Sequence, residues 1–494
     1  MAKSTISTAP AVTTPRFVHE LLDTAAARWP SSSAVCDAKE KWTYAELRLR
    51  SLRCAELLSD NGIMPGDRVA ATLPNSVTTA MLLYACSRAG AVFVPLSPSL
   101  PPERLRVILA DARPALVITA ESPVPAPSLS ERDLLVATAT DPVNSAAGAD
   151  RNGDALLLYT SGSTSAPKGV LCPHAGVLFA TTAIGDRLRY RPGDRIFVRL
   201  PLSFDYGLYQ LLLGCAAGAA VWLSTATPAA LLREIATSRA TVLPVVPTLA
   251  GLIAEIAERR PADTVVRLIT NTGAALVPRT ARRLRTAFPR AAVVAMYGLT
   301  ECKRVSIADP DEDLARPGSV GRPLPGTRVR IVDDAGEPLP PGVIGQIVVS
   351  GPHVMAGYFG DAGATAERFT VDASGARSLR TGDYGFADAD GTLHFTGRRD
   401  GIFKHKGTRM SIAEIEAAAE ELPGVRAAIA VPPTEDDRLV LVVAGAVRPE
   451  EVMSGLARLL DPDRRPDVVV VMAAFPQTAT GKVDRAAVTA SVAP

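Results

Sequence analysis

Between Leu156 and Val170 the chain reads LLLYTSGSTSAPKGV. Ala155 to Tyr159 is a short apolar run, which predicts a buried strand. The turn after it carries Thr160, Ser161, Gly162, Ser163, Thr164 and Ser165, then Pro167 stiffens the exit and Lys168-Gly169 closes it. Small residues let several backbone amides and hydroxyls converge on anionic oxygens, so this turn suits a phosphate chain. It is not a Walker A loop, which ends in Gly-Lys-Ser/Thr; here the lysine follows proline and precedes glycine. A run of this composition alone would read as a solvated Ser/Thr loop. The order YTSGST-x-x-PKG argues for the anion.

Four further stretches follow in order. They are Met296-Tyr297-Gly298-Leu299-Thr300-Glu301, Thr381-Gly382-Asp383, Gly397-Arg398-Arg399-Asp400, and the near-terminal QTATGKVDR with Lys482 on its glycine-bearing turn. Asn271-Thr272-Gly273-Ala274-Ala275-Leu276 lies upstream of the first. Together with the loop at 160–169 they resemble the AMP-forming adenylating superfamily, which includes acyl- and aryl-CoA ligases, the adenylation domains of nonribosomal peptide synthetases, and luciferases. The resemblance extends over nearly the whole chain. Two departures are visible: Ser165 stands where the family loop has glycine, and the 271–276 turn keeps one of two usual glycines.

The resemblance implies ATP and Mg²⁺ as cofactors. By it, the phosphate loop comprises Thr160, Ser161, Gly162, Ser163, Thr164 and Lys168. Tyr297 stacks on adenine, with Gly273, Ala274 and Ala275 beside the base; an aromatic face suits a purine. Thr300 bonds phosphate and Glu301 is the metal ligand, in keeping with Mg²⁺ on a nucleotide needing only one or two protein carboxylates. Asp383 accepts from the ribose hydroxyls, Arg398 contacts phosphate or ribose, Asp400 is a hinge, and Lys482 is the catalytic lysine. The run Lys404 to Glu416 resembles the loop that enters the site for the second half-reaction. Ser411 and Glu414 also read locally as a capping box.

An acyl pocket is implied at Asp205, Tyr206, Tyr209, Pro244, Thr272, Met296, Arg304 and Val305. Bulky Tyr206, Tyr209 and Met296 favour a small or flat acid. Amino-acid-activating members have an aspartate at the place of Asp205 that pairs with the substrate's amino group. Local rules offer two other roles for it: a cap on the helix beginning near Tyr206, or an internal pair with Arg304. Arg304 in turn suits a second substrate carboxylate.

The activity implied is that of an ATP-dependent acid–thiol ligase. A small carboxylic acid becomes an acyl-AMP with loss of pyrophosphate, then passes to the thiol of CoA or of a carrier protein. Coupling of the activated acid to an amine, nitrite-dependent diazotisation among such reactions, is the alternative. A luciferase-type oxidoreductase and a non-catalytic nucleotide-binding relative are the other classes. The presence of both Glu301 and Lys482 argues against the last.

These residues need a scaffold. Helical periodicity alternates with apolar strand runs from Phe17 to Ala120 and again from Arg195 to Tyr297, which predicts βαβ units and parallel sheets. A Pro/Ser/Ala-rich loop is expected over Glu121 to Ala149. Beyond Pro317, short strands between glycines and prolines predict a small antiparallel barrel or meander. A final α+β unit follows Gly397. The expected α/β architecture is therefore a disordered tail over 1–16, a large ATP- and acid-binding domain over 17–398, and a mobile domain over 399–494. The 494 residues are too many for one core. A net charge of +2 gives no pull toward nucleic acid or membrane. No apolar run reaches membrane-spanning length, and the polar start lacks the core of a secretory signal. Six scattered cysteines without a CxxC pair make disulfides and zinc unexpected and suit the cytoplasm. Cys302, beside a motif, reads as a packing residue.

Overall fold

The computed structural model describes residues 14–120, 127–139, 153–160, 167–372, 375–398, 401–405, 408–432, 438–460, 462, 465–476 and 483–492. Its centre is a helix with no solvent face. All thirteen residues of Val77–Ala89 are buried, as expected of a helix that is apolar nearly all round. Ser76 caps its start by accepting from the Thr79 amide, and Gly90 in the left-handed region ends it. The helix buries Arg88, which is neutralised by Asp23 at 2.6 and 3.1 Å and donates to Ser51.

Two sheets enclose this layer. In the seven-stranded one, Val92–Leu96, Arg68–Thr72, Leu116–Thr119 and Ser128–Ser130 run parallel, and Asp154–Thr160 joins them beside Val92–Leu96. Lys168–Pro173 then turns back antiparallel on Asp154–Thr160. In the nine-stranded sheet, Ala292–Tyr297, Leu268–Asn271, Val242–Val245, Arg195–Val198, Ala220–Leu223 and Ser33–Cys36 are parallel neighbours. Helices Val18–Arg28, Tyr44–Asp60, Val77–Ala89, His174–Leu188 and Asp205–Ala217 share one apolar core with both sheets. Separate cores hold Pro102–Ala112 on the outer face of one sheet, and Pro228–Thr237, Pro247–Arg259 and Pro278–Ala287 on that of the other. The result is layered helix–sheet–helix–sheet–helix, the architecture expected of alternating βαβ units.

After Pro317 the antiparallel region is a sheet of Arg328–Val332, Gly345–Ser350, Arg377–Ala387, Phe369–Val371 and Leu393–Arg398. The last segment has its own core, in which helices Ile412–Glu420 and Pro449–Leu456 pack on Val425–Val431, Val440–Gly445 and Val468–Met472.

Three local expectations are corrected. The segment expected as loop over Glu121 to Ala149 contains a strand, Ser128–Ser130, and a helix, Glu131–Ala137, started by Ser130 accepting from the Asp133 amide. The helix expected over Pro449 to Leu460 ends at Leu456. Ser411 precedes Ile412–Glu420 but makes no cap bond; its hydroxyl donates instead to the Thr396 carbonyl. All six cysteines are free and buried, Cys302 among them. No helix among the described residues is long and apolar enough to cross a membrane.

Candidate active site

Parallel strands Leu268–Asn271 and Ala292–Tyr297 end side by side, with Thr270 opposite Val294 and Asn271 opposite Ala295. Turns leaving the carboxyl ends of parallel strands are where open α/β sheets bind ligands. One such turn carries Asn271 to Leu276, the other Met296 to Arg304. In the first, Gly273 takes φ +87°, and the Asn271 amide donates to the Ala274 carbonyl at 3.0 Å. Gly273, Ala274 and Ala275 are exposed, so the chain offers backbone there, open to a ligand.

The second turn is tightly wound. A Cβ on Gly298 would lie 1.8 Å from the Lys303 carbonyl oxygen, so only glycine fits beneath the returning chain. Lys303 itself sits at φ +56°, uncommon for a residue with a side chain.

The turn delivers Tyr297 and Glu301 to the antiparallel sheet. The Tyr297 hydroxyl donates to Asp383 at 2.8 Å, and Arg398 Nε lies 3.2 Å from the other carboxylate oxygen. Asp383 is buried, which raises its pKa; Arg398 and the Tyr297 hydroxyl oppose that rise. Burial also pushes the Tyr297 phenol well up. The Tyr297 ring stacks on Phe395, with centroids 5.5 Å apart. Tyr297, Asp383 and Arg398, separated in sequence, thus form one cluster. In it Asp383's two oxygens already serve protein donors.

Glu301 is buried, and its Oε1 accepts from the Tyr358 hydroxyl at 2.7 Å and from Arg368 at 3.1 Å. Thr300 lies beside it, its carbonyl accepting from Lys303 Nζ at 2.9 Å. The Lys168 ammonium is 5.1 Å from the Tyr358 ring centroid, a cation–π contact. Thr160 and Lys168 face each other across the hairpin, the Thr160 hydroxyl donating to the Lys168 carbonyl at 3.4 Å. The hairpin end, Glu301 and Lys168 therefore meet around Tyr358. Ser161, Gly162, Ser163, Thr164, Asp400 and Lys482 lie outside the described residues.

The expected acyl pocket divides. Asp205, Tyr206, Tyr209, Met296 and Arg304 line one cavity of ≈ 10 Å³, together with Lys303, Gln210, Leu213, Ile184 and Leu188. Pro244, Thr272 and Val305 are buried nearby in the sequence of strands and turns but do not line it. Asp205 is not a cap: Phe204 holds the N-cap position without a side-chain bond, and Asp205 is the first helical residue. Nor does Asp205 form an ion pair with Arg304 among the described residues. The Arg304 guanidinium instead donates to the Lys303 carbonyl at 3.0 Å and lies 4.7 Å over the Tyr206 ring. The Tyr209 hydroxyl is buried without a hydrogen-bond partner among the described residues.

Three functional candidates escaped the sequence reading. Lys303 is 1% exposed and lines the cavity; the Lys-Arg doublet beside Glu301 was its only signal. Tyr358 and Arg368 carry no local signal at all, since they reach Glu301 from 57 and 67 residues away.

Residues 22–359 match the family model described as AMP-binding enzyme. The chain belongs to the AMP-binding enzyme family. Curated relatives include the dimodular nonribosomal peptide synthase of Bacillus subtilis, 32% identical over 95% of this chain. Syringomycin synthase SyrB1 of Pseudomonas syringae is 31% identical, over 95% of this chain and 81% of its own length. Other relatives are far longer: the chain spans 6% of CymA from Salinispora arenicola and 21% of the dimodular synthase. Among solved structures, VinN in complex with L-aspartate is 40% identical, covering 77% of this chain and 98% of that one, with a TM-score of 0.70. ATP-bound MatB from Rhodopseudomonas palustris superposes at a TM-score of 0.82 over 96% of this chain and 98% of its own, with 28% identity. This AMP-binding enzyme thus has the adenylating fold, with relatives among both peptide synthetases and ligases. Glu301 has Oε1 committed and, among the described residues, nothing bonded to Oε2, so its chemistry fits a hard divalent cation such as Mg²⁺.

Proposed function

We propose that this enzyme activates a small acid bearing an amino group and a second carboxylate, an acidic amino acid, as its acyl-adenylate, and then passes the acyl group to a thiol. The carrying observation is the cavity's charge. One buried anion, Asp205, faces it together with two buried cations, Lys303 and Arg304. Buried charges need partners, and no ion pair among the described residues joins these three. A substrate ammonium on Asp205 and a carboxylate on the Lys303–Arg304 side would complete the set through charge-assisted bonds, the stronger kind. The 40% identical structure holding L-aspartate supports this reading. Room of ≈ 10 Å³ is about one water site, so a four-carbon acid requires lining side chains to move.

Catalysis in this reading is alignment and charge neutralisation rather than covalent chemistry. The hairpin 160–168 holds the triphosphate, with Lys168 supplying positive charge. Tyr297, Asp383 and Arg398 receive the nucleoside; ribose hydroxyls then exchange with the protein donors now on Asp383. Mg²⁺ held by Glu301 would offset charge on the phosphates as pyrophosphate leaves. Lys482 would approach the reacting carboxylate and Asp400 would act as hinge. The relatives among nonribosomal peptide synthetases favour a carrier-protein phosphopantetheine thiol as acceptor, with CoA the other thiol. ATP–pyrophosphate exchange over aspartate, glutamate, succinate and neutral amino acids tests the substrate class. Exchange only with neutral or des-amino acids would defeat it. Transfer to holo-carrier protein against CoA then settles the acceptor.

A further inference from the structure

Glu301 is gripped by two groups that belong to none of the site's motifs. Its Oε1 accepts from Tyr358 at 2.7 Å and lies 3.1 Å from Arg368 Nη1. The same Nη1 donates to the Tyr358 hydroxyl at 2.9 Å, so the three form a closed triangle. The rest of the guanidinium is tied to the strand carrying Asp383: Nε donates to the Arg380 carbonyl at 3.2 Å and Nη2 to the Thr381 carbonyl. One side chain thereby spans the carboxylate of one turn and the backbone of the Thr381-Gly382-Asp383 segment. The carboxylate is the more buried partner, at 9% side-chain exposure against 26% for the arginine. A buried charge pair of this kind is held by geometry and by hydrogen bonds to both partners.

We propose that Arg368 is the resident counter-ion of Glu301, a positioning residue that orients the carboxylate through Oε1 and competes with the divalent cation that Oε2 would take. Two cations on one carboxylate repel and share its charge. Cation binding therefore weakens the Arg368 contact, and Arg368 in turn weakens cation binding by the same factor. Tyr358 holds the geometry without adding charge. The inference rests on Glu301 being the cation ligand of the proposed activity. A purely structural ion pair would show no such antagonism.

The test uses the full chain with Mn²⁺ as probe, titrated by electron paramagnetic resonance in saturating α,β-methylene-ATP. Melting temperatures are read separately in chelator. Glu301→Gln should weaken Mn²⁺ binding at least about tenfold, and Arg368→Gln should tighten it about tenfold, a coupling ordinary for charged neighbours. In chelator, Arg368→Gln should lower the melting temperature of the wild-type chain but not that of the Glu301→Gln chain. Mn²⁺ affinity unchanged or weakened in Arg368→Gln, with Glu301→Gln weakened, overturns the proposal. Unchanged Mn²⁺ binding in Glu301→Gln overturns it differently, by removing Glu301 as the ligand. Should Arg368→Gln not fold, Arg368→Lys keeps the charge but cannot span Glu301 and Thr381 together. Its Mn²⁺ affinity should rise by a smaller factor, and an affinity equal to wild type overturns the proposal as well.

Discussion

Asp205→Asn separates recognition from structure because the residue's position makes its structural worth small. Asp205 is the first residue of Asp205–Ala217, one place inside the helix rather than at its cap. Its carboxylate gains from the helix dipole, an effect of about 0.3–1 kcal/mol. Asparagine keeps the shape and loses that charge. The expected stability cost is thus below about 1 kcal/mol, a melting shift of at most about 2–4 °C. Recognition is worth more. Asp205 is 5% exposed and lines the cavity, so a substrate ammonium would meet it largely out of water. A hydrogen bond to a charged group contributes about 1.5–3 kcal/mol, equivalent to roughly 10- to 150-fold in affinity. The assay is ATP–pyrophosphate exchange with aspartate and with succinate, its des-amino counterpart. Asp205→Asn should raise KM for aspartate by that factor and leave succinate nearly untouched. The reasoning is refuted if both acids lose equally, or if the wild-type enzyme already prefers succinate. An unfolded variant would refute the small structural worth assigned to the residue.

Lys482→Ala should cut adenylation by roughly 10²–10³ through loss of one oriented cation at a charge-developing centre; pyrophosphate exchange at the wild-type rate would remove it from the mechanism. Asp400→Pro should affect adenylation and thioester formation unequally, because proline fixes φ at a hinge, and equal loss with normal stability would argue against the hinge. Burial pulls His19, His174 and His353 from an ordinary 6.5 down to about 4. The unfolded chain therefore binds more protons than the folded one between these values. Stability is full above about pH 6.5 and falls as pH drops toward 4. His353→Phe, which keeps the ring stacked near Phe179, should flatten the fall of melting temperature across that window, and an unchanged slope would count against a buried neutral His353.

The layered fold was legible because its signals are periodic and redundant. Val77 to Ala89 announces a helix by thirteen consecutive residues with a serine before and a glycine after. What local reading misplaced were residues whose local and distant partners compete. Ser411 has the sequence of a cap, yet its hydroxyl reaches the Thr396 carbonyl fifteen residues back. Asp205 precedes an apolar helix as a cap would, but Phe204 is the extended residue, φ −97° and ψ 130°, so the helix begins one place earlier than the cap rule requires. Neither outcome is written in nearest neighbours.

The candidate site shows the same division more sharply. Tyr297, Thr300 and Glu301 were named because one short motif carries them, whereas Lys303 was passed over although it lies two residues after Glu301 and directly before Arg304. Its place follows from Gly298. With the Lys303 carbonyl 1.8 Å from where a Cβ would stand, the chain must fold back over a bare backbone, and Lys303 takes a left-handed φ to do so. The turn sends both members of the Lys303–Arg304 doublet to the wall of the cavity that Asp205 lines, over Tyr209 and Tyr206 respectively. The same turn sets Glu301 beneath Tyr358 and Arg368. One glycine-dependent reversal therefore places Glu301 and the cavity-lining Lys303 and Arg304 together. If Glu301 holds a cation and the cavity a substrate as proposed, a substitution at Gly298 that relaxes this turn should weaken both together, and a loss confined to one would count against the shared origin.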